Sequence, residues 1–239
     1  GSGDGVPTAG GETVYLPGRR LVALDGVTGE RRWVADDLPN PPGPVAATES
    51  TVFAEGDGTL YAVDAADGSV RWQESVPEPS YDTPAVGDTV VAMMGSEGLL
   101  QAIPRDDDAE RWQRQVPGGQ IAPSVAHDRV YAVSDTDDSL LAFDAHTGET
   151  DWTASLGPTV DHRVAVGGGT VYAMGYDESI EEDALFCVDA ASGEVRRTVP
   201  LRTAADEPLV TEGTGVALAD DGVLFPAGVD GEYGIYHLG

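Results

Sequence analysis

The chain has 239 residues, of which 42 are Asp or Glu and 13 are basic, all of them Arg, so its formal net charge at pH 7 is −29. This charge disfavours nucleic acid as a partner, because neutralising phosphates requires clustered basic side chains. The single cysteine, Cys187, excludes an intramolecular disulfide, a cysteine-based zinc site and a CxxC redox motif.

A repeated segment of about 40 residues runs through the chain. Its clearest mark is the tryptophan series Trp33, Trp72, Trp112 and Trp152, spaced 39, 40 and 40 residues apart. Each tryptophan ends a segment of similar sequence: LVALDGVTGERRW (21–33), LYAVDAADGSVRW (60–72), LQAIPRDDDAERW (100–112) and LLAFDAHTGETDW (140–152). A fifth copy, LFCVDAASGEVRR (185–197), has Arg197 in the tryptophan position, and a sixth, LFPAGVDGEYGIY (224–236), is predicted to have Tyr236 there.

Each unit is predicted to form four short strands, here called a to d. Apolar residues in these segments alternate with period two, as Leu60 and Ala62 do against Tyr61 and Val63. Four-stranded units of this length cannot bury both faces alone, so they stack radially as blades. We therefore predict an all-β fold, a six-bladed β-propeller of four-stranded antiparallel blades.

The whole chain, 1–239, is predicted to be one propeller domain with repeats at approximately 5–37, 44–76, 83–116, 122–156, 163–199 and 207–239. The first and last units contain all four strands in this prediction. The ring is expected to close by packing of the blade that ends near Tyr236 against the blade that begins near Pro7. No apolar run approaches the roughly 18 residues needed to span a bilayer, and we expect a monomer.

The turn between strands c and d has a recurring chemistry. An aspartate at its start can accept hydrogen bonds from backbone amides just downstream, and a glycine four residues later supplies the positive φ that closes the turn. These pairs are Asp25 and Gly29, Asp64 and Gly68, Asp144 and Gly148, and Asp189 and Gly193.

The string A-x-D-x-x-x-G-x-x-x-W, complete at Ala23 to Trp33, Ala62 to Trp72 and Ala142 to Trp152, resembles the tryptophan-docking motif of pyrroloquinoline-quinone (PQQ) type propeller repeats. Unit three departs from it, with Pro104 and Asp108 in the Asp and Gly positions. The resemblance implies that the tryptophans of units one to four pack on the neighbouring blade. It also implies a quinoprotein-type family that contains dehydrogenases, non-catalytic outer-membrane assembly lipoproteins of the BamB kind and uncharacterised surface propellers.

For a dehydrogenase, the resemblance implies a larger, eight-bladed ring. Such a ring holds the quinone against a disulfide between adjacent cysteines and a calcium ion. A chain whose one cysteine is Cys187 cannot form that disulfide, which disfavours PQQ. In unit five Cys187 takes the place of the small alanine, so its predicted role is that of a small buried residue. We predict no cofactor; calcium remains open, although no motif supports it.

The b-to-c and d-to-a connections of a four-stranded blade emerge on one face of the ring, and that face is strongly acidic. Its candidate contact residues are Asp135, Asp137, Asp138, Asp161, His162, Asp177, Glu178, Glu181, Glu182 and Asp183. Such a face could dock a basic partner or hold divalent cations. Alternatively, its charge is part of a general adaptation to molar salt, as in haloarchaeal-type organisms, because acidic residues are spread over all six units.

Three functions are compatible with these observations. The first is a non-catalytic, extracytoplasmic or cell-surface propeller that binds or scaffolds another protein through the acidic face; its location follows from the family resemblance. The second is a divalent-cation-dependent hydrolase or lyase with a metal at the propeller mouth. The third is a PQQ-dependent redox protein. We favour the first, and with it a chain that is not an enzyme.

Overall fold

A computed structural model describes residues 6–36, 38, 43–78, 80, 82–105, 110–119, 121–157, 163–211, 215–219, 222–229 and 232–238. These residues form strands β1 to β24 and contain no helix, and hence no helix that could cross a membrane. The strands make six antiparallel sheets of four strands each. The predicted all-β, six-bladed propeller is confirmed.

In the first five sheets the strands pair in chain order, so that a, b, c and d run from one edge to the other. Sheet one contains Thr8–Gly10 (β1), Thr13–Leu16 (β2), Leu21–Asp25 (β3) and Arg31–Ala35 (β4). Sheet two contains Val45–Ala47 (β5), Thr51–Gly56 (β6), Thr59–Asp64 (β7) and Val70–Ser75 (β8). Sheet three contains Ala85–Val86 (β9), Val90–Met94 (β10), Leu99–Pro104 (β11) and Trp112–Gln115 (β12). Sheet four contains Ser124–Ala126 (β13), Arg129–Ser134 (β14), Ser139–Asp144 (β15) and Thr150–Ser155 (β16), and sheet five contains Ala165–Gly167 (β17), Thr170–Asp177 (β18), Glu182–Asp189 (β19) and Val195–Pro200 (β20).

Sheet six has a different strand order. It consists of Val210–Thr211 (β21), Ala217–Ala219 (β22), Gly222–Val229 (β23) and Glu232–Leu238 (β24). Strand β23 pairs with β24 along one edge and with both β22 and β21 along the other. The a strands of successive sheets contact one another, and β22 contacts β17 of sheet five. Strand β22 therefore holds the a position, and β23 and β24 hold the b and c positions.

The predicted place of Tyr236 is consequently wrong. Tyr236 pairs with Phe225 between β23 and β24, as Ala23 pairs with Tyr15 between strands b and c of sheet one. Trp33, in contrast, pairs with Ala23 between strands c and d. Strands b, c and d share the same apolar alternation, so residue pattern alone allowed the last hairpin to be placed one strand too far along the blade.

Apolar packing joins the sheets in sequence. Five clusters of buried residues lie between sheets one and two, two and three, three and four, four and five, and five and six. Within the described residues no cluster joins sheet six to sheet one. Ile235 and Leu218 of sheet six are 78% and 43% exposed, and Val14 and Leu24 on the outer face of sheet one are only half-buried. The predicted closure of the ring by packing of the last blade on the first therefore finds no apolar core to support it.

Candidate functional site

The c-to-d turns of sheets one, two, four and five are closed by their own aspartate and glycine. Oδ1 of Asp144 accepts hydrogen bonds from the backbone N–H groups of Thr147 (2.8 Å) and His146 (2.9 Å), and the N–H of Gly148 donates to the Asp144 carbonyl oxygen at 2.9 Å. These bonds favour the ionised carboxylate, and the one from Thr147 contributes most to holding the pKa of Asp144 below its usual value. Equivalent turns begin at Asp25, Asp64 and Asp189 and close at Gly29, Gly68 and Gly193.

Three tryptophans dock on the turn of the following sheet. The indole N–H of Trp33 donates to the carbonyl oxygen of Ala65 at 2.9 Å, that of Trp112 to Ala145 at 2.8 Å, and that of Trp152 to Ala190 at 3.1 Å. The turn glycine admits the indole: a Cβ at Gly68, Gly148 or Gly193 would lie 2.7, 2.5 or 2.7 Å from the docked ring. These contacts place the motif residues at the seams between sheets.

The fourth tryptophan, Trp72, faces a turn that lacks the motif. Arg105 stands where the other turns have the accepting alanine, and its guanidinium lies over the Phe53 ring at 5.7 Å. Trp72 is only half-buried, and its indole N–H makes no hydrogen bond to the described part of the chain. The seam between sheets two and three is therefore the one at which a tryptophan is present without being docked.

The candidate contact face is dominated by the hairpin between β18 and β19. Each of these strands has eight residues, whereas the b and c strands of sheets two and four have six. The added residues extend the ladder, with Tyr176 paired to Asp183 and Asp177 paired to Glu182. The insertion that lengthens unit five is thus a regular projection of the sheet.

Three acidic residues of this hairpin have structural partners. Asp177 accepts hydrogen bonds from the N–H and hydroxyl of Ser179, at 2.8 and 2.6 Å, which lower its pKa. Glu182 forms an ion pair with Arg202 in which Nε donates at 2.9 Å. Asp183 accepts from the N–H of Thr211 at 2.7 Å. Sequence patterns did not reveal Arg202 or Thr211, because Arg202 lies in the connection to sheet six and Thr211 in strand β21 of sheet six.

The four residues at the tip, 178–181, are exposed to solvent. Glu178 and Glu181 make no hydrogen bond or ion pair to the described residues, and Glu181 has a positive φ of 57°. Ile180 lies between them and is 39% exposed. The tip thus presents an apolar side chain flanked by two carboxylates on a base that is held by ion-pair and hydrogen-bond contacts.

The other predicted contact residues divide into two groups. Asp135, Asp137 and Asp138 lie in the four-residue turn between β14 and β15; the first two are exposed, and the N–H of Asp137 donates to the hydroxyl of Ser134 at 3.3 Å. Asp161 and His162 lie outside the described residues. The structure therefore places Asp135, Asp137 and Asp138 on the same face as the long hairpin, in the neighbouring sheet.

The described residues contain no group of three or more His, Cys, Asp or Glu side chains that could hold a metal ion. Cys187 is half-buried opposite Arg197, and burial raises the pKa of its thiol. On the propeller axis a cavity of about 260 Å³ is lined by the a strands of sheets three to five. Arg163 reaches into it and donates to the Thr83 carbonyl oxygen at 2.7 Å, and burial lowers the pKa of this guanidinium.

A comparison with protein families gives one match. The family model described as outer membrane protein assembly factor BamB matches residues 1–149 and again residues 139–234. No curated protein matches the sequence.

Solved structures show the same fold at low sequence identity. BamB from Moraxella catarrhalis is 20% identical, with a TM-score of 0.62 over 98% of this chain and 74% of that one. The computationally designed Ika8 protein is 15% identical, with a TM-score of 0.64 over 99% of this chain and 71% of that one. Quinohemoprotein alcohol dehydrogenase from Comamonas testosteroni is 16% identical, with a TM-score of 0.60 over 95% of this chain but only 52% of the enzyme. An assembly factor for outer membrane proteins, a designed protein and a dehydrogenase thus share this architecture, which by itself does not decide function.

Proposed function

Since this chain belongs to the PQQ-like repeat family whose model is described as outer membrane protein assembly factor BamB, we propose that it is a non-catalytic propeller that binds or scaffolds another protein. Its contact site is the tip of the β18–β19 hairpin, residues 178–181, together with the acidic turn 135–138 beside it. We further propose that the protein acts outside the cytoplasm, because the family description names the assembly of outer membrane proteins.

The observation that carries this proposal is the build of the hairpin. Its base is held by the ion pair of Glu182 with Arg202 and by the hydrogen bonds of Asp183 with Thr211. Its tip leaves the side chains of Ile180, Glu178 and Glu181 without such contacts among the described residues. A pre-ordered loop loses less conformational entropy on binding than a flexible one, which favours a contact role for this projection.

The chemistry of the tip defines its partner. Burial of an isoleucine side chain against another protein contributes roughly 1.5–3 kcal/mol. Carboxylates around an apolar contact steer association toward a basic surface and accelerate encounter more than they add affinity. The partner surface is therefore an apolar recess bordered by Arg or Lys side chains.

A cross-linking experiment tests this proposal. A photo-reactive phenylalanine analogue replaces Ile180 in one variant and Ser96, in the b-to-c turn of sheet three on the same face, in a control variant. Irradiation in native extract at about 0.1 M salt, where the screening length is about 10 Å, is expected to give one protein adduct with the Ile180 variant, and that adduct is expected to weaken when Glu178 and Glu181 are both changed to Gln. Equal adducts at both positions, or none at Ile180, would remove the hairpin as the contact site.

A further inference from the structure

The seam between sheets two and three, where the tryptophan is not docked, contains a cavity. Its volume is about 330 Å³, and it lies at the end of the blades where the a-to-b and c-to-d turns meet, opposite the acidic contact face. It is lined by Ser50, Thr51, Phe53, Arg71, Trp72, Asp88 and Arg105. It thus combines two guanidinium groups and two aromatic rings in a protein of net charge −29.

The cavity follows from the altered turn in unit three. The turns of sheets two, four and five read DAADG (64–68), DAHTG (144–148) and DAASG (189–193), whereas unit three reads PRDDD (104–108). A turn of the first kind would bring an alanine carbonyl to the indole N–H of Trp72, as Ala65 does for Trp33. With Arg105 in that position, Trp72 is left half-buried with its N–H directed to no acceptor in the described part of the chain.

The guanidinium of Arg105 is held in place with donors to spare. Its Nη1 donates to the carbonyl oxygens of Gly87 at 2.7 Å and Asp88 at 3.2 Å, and its guanidinium carbon lies 5.7 Å from the centroid of the Phe53 ring. Its Nε and Nη2 make no hydrogen bond to any described residue. A guanidinium has five N–H donors in one plane, and the donors on Nε and Nη2, which reach no described acceptor, suit a planar anion.

On the other side of the cavity, Arg71 is already neutralised. Its Nε and Nη2 donate to Oδ2 of Asp64 at 3.0 and 2.8 Å, and its Nη1 donates to the Thr51 hydroxyl at 2.9 Å. Arg71 therefore shapes the wall, whereas Arg105 and the indole of Trp72 have N–H donors that bond to none of the described residues.

We propose that this seam cavity binds a small planar carboxylate, such as an aromatic carboxylic acid. The carboxylate accepts hydrogen bonds from Arg105 and from the indole N–H of Trp72, and the ring of the ligand packs on the half-buried indole of Trp72. The Arg105 guanidinium beside the indole of Trp72 is complementary to a ligand that has both a carboxylate and an aromatic ring. A neutral analogue would bring no negative charge to pair with the guanidinium. This site is separate from the contact face and does not depend on the proposed protein-binding function.

The test uses the indole N–H signals of the four tryptophans in a ¹H–¹⁵N spectrum, with Trp72 assigned from the Trp72→Phe variant. Benzoate is titrated into the whole chain, and benzyl alcohol serves as the neutral control. We expect the Trp72 signal alone to move, saturably, with benzoate, and no signal to move with benzyl alcohol. No movement of the Trp72 signal, or equal movement of all four, would overturn the proposal.

Two variants sharpen the result. Arg105→Gln keeps a polar N–H donor at this position but removes the charge, and it is expected to weaken benzoate binding about tenfold or more, as for loss of a hydrogen bond to a charged group. The triple change Pro104→Asp, Arg105→Ala and Asp108→Gly restores the turn sequence of the other sheets, and it is expected to abolish benzoate binding while the chain stays folded. Wild-type affinity in Arg105→Gln would contradict the proposal even if the triple variant failed to fold.

Discussion

The indole N–H of Trp152 donates a hydrogen bond of 3.1 Å to the carbonyl oxygen of Ala190 in the next sheet. Both residues are buried, with 8% and 5% of their surfaces exposed. Sheets four and five share no backbone ladder, so side chains alone hold this seam together. The same link occurs at Trp33 and Trp112, whereas the indole N–H of Trp72 makes no such bond to the described residues, so the seams differ in a measurable way.

Trp152→Phe is expected to lower the free energy of unfolding by about 0.5–1.5 kcal/mol, because it removes the shorter of two hydrogen bonds to the buried Ala190 carbonyl oxygen and leaves only the 3.5 Å bond from the Tyr131 hydroxyl. Trp72→Phe is the matched control, since no hydrogen bond to a described residue is lost there, and it is expected to cost clearly less. Urea denaturation of both variants measures the difference. Equal costs would mean that the indole hydrogen bond contributes little to the stability of the seam.

Gly148→Ala is expected to destabilise the chain more than Gly29→Ala. Both glycines have positive φ, 65° and 71°, so both substitutions carry the left-handed backbone cost of roughly 1–2 kcal/mol. A Cβ at Gly148 would also lie 2.5 Å from the Trp112 ring, whereas nothing lies within 4 Å of one at Gly29. Overpacking adds about 1–3 kcal/mol at Gly148 alone. If thermal melting gave the same shift for both variants, sheet one would be covered at Gly29 in solution.

Glu55→Gln is expected to stabilise the chain at neutral pH. Glu55 is 6% exposed, and burial raises its pKa although the N–H of Ser80 donates to its Oε2 at 3.0 Å. A carboxyl group whose pKa is higher in the folded state contributes stability below its unfolded pKa, and that contribution is lost as pH rises through the folded value.

The difference between Glu55→Gln and wild type is therefore expected to be largest near pH 8 and to shrink as pH falls toward 5, measured by urea denaturation at constant salt. A variant that is less stable than wild type at every pH would show that the hydrogen bonds to the carboxylate outweigh its burial.

Salt is expected to raise the melting temperature. The net charge of −29 makes the folded chain repel itself, and salt shortens the screening length from about 10 Å at 0.1 M to about 3 Å at 1 M. Melting in KCl from 0.1 to 3 M is therefore expected to show a steep rise that levels off near 1 M. A rise that stays linear to 3 M would point to exclusion of salt from the protein surface and away from charge screening.

Phe225→Ala and Ile235→Ala test the two faces of sheet six. Phe225 is 3% exposed in the cluster between sheets five and six, and its truncation is expected to cost about 3–5 kcal/mol. Ile235 is 78% exposed, and its truncation is expected to change stability by less than about 0.5 kcal/mol. Guanidinium denaturation compares the two. A large loss at Ile235 would show that another surface covers this face in solution.

Sequence alone was enough to establish the repeating unit and the chemistry of its turns. Asp144 and Gly148 act within one turn, through hydrogen bonds between residues two to four positions apart. Such contacts depend only on the local amino-acid sequence. The spacing of the tryptophans repeats because each unit has the same strands and the same turn. The acidic hairpin of unit five could likewise be located, since an insertion is visible as extra length.

Tertiary structure decided what depends on partners distant in the chain. Tyr236 could be assigned to strand c only through the contact of β22 with β17, because strands b, c and d have the same alternation. The roles of Glu182 and Asp183 depended on contacts with Arg202 and Thr211, which lie further along the chain, beyond strand β20. The undocked Trp72 and the uncovered Ile235 are likewise properties of seams, because whether an apolar or polar side chain is satisfied is decided by the sheet packed against it.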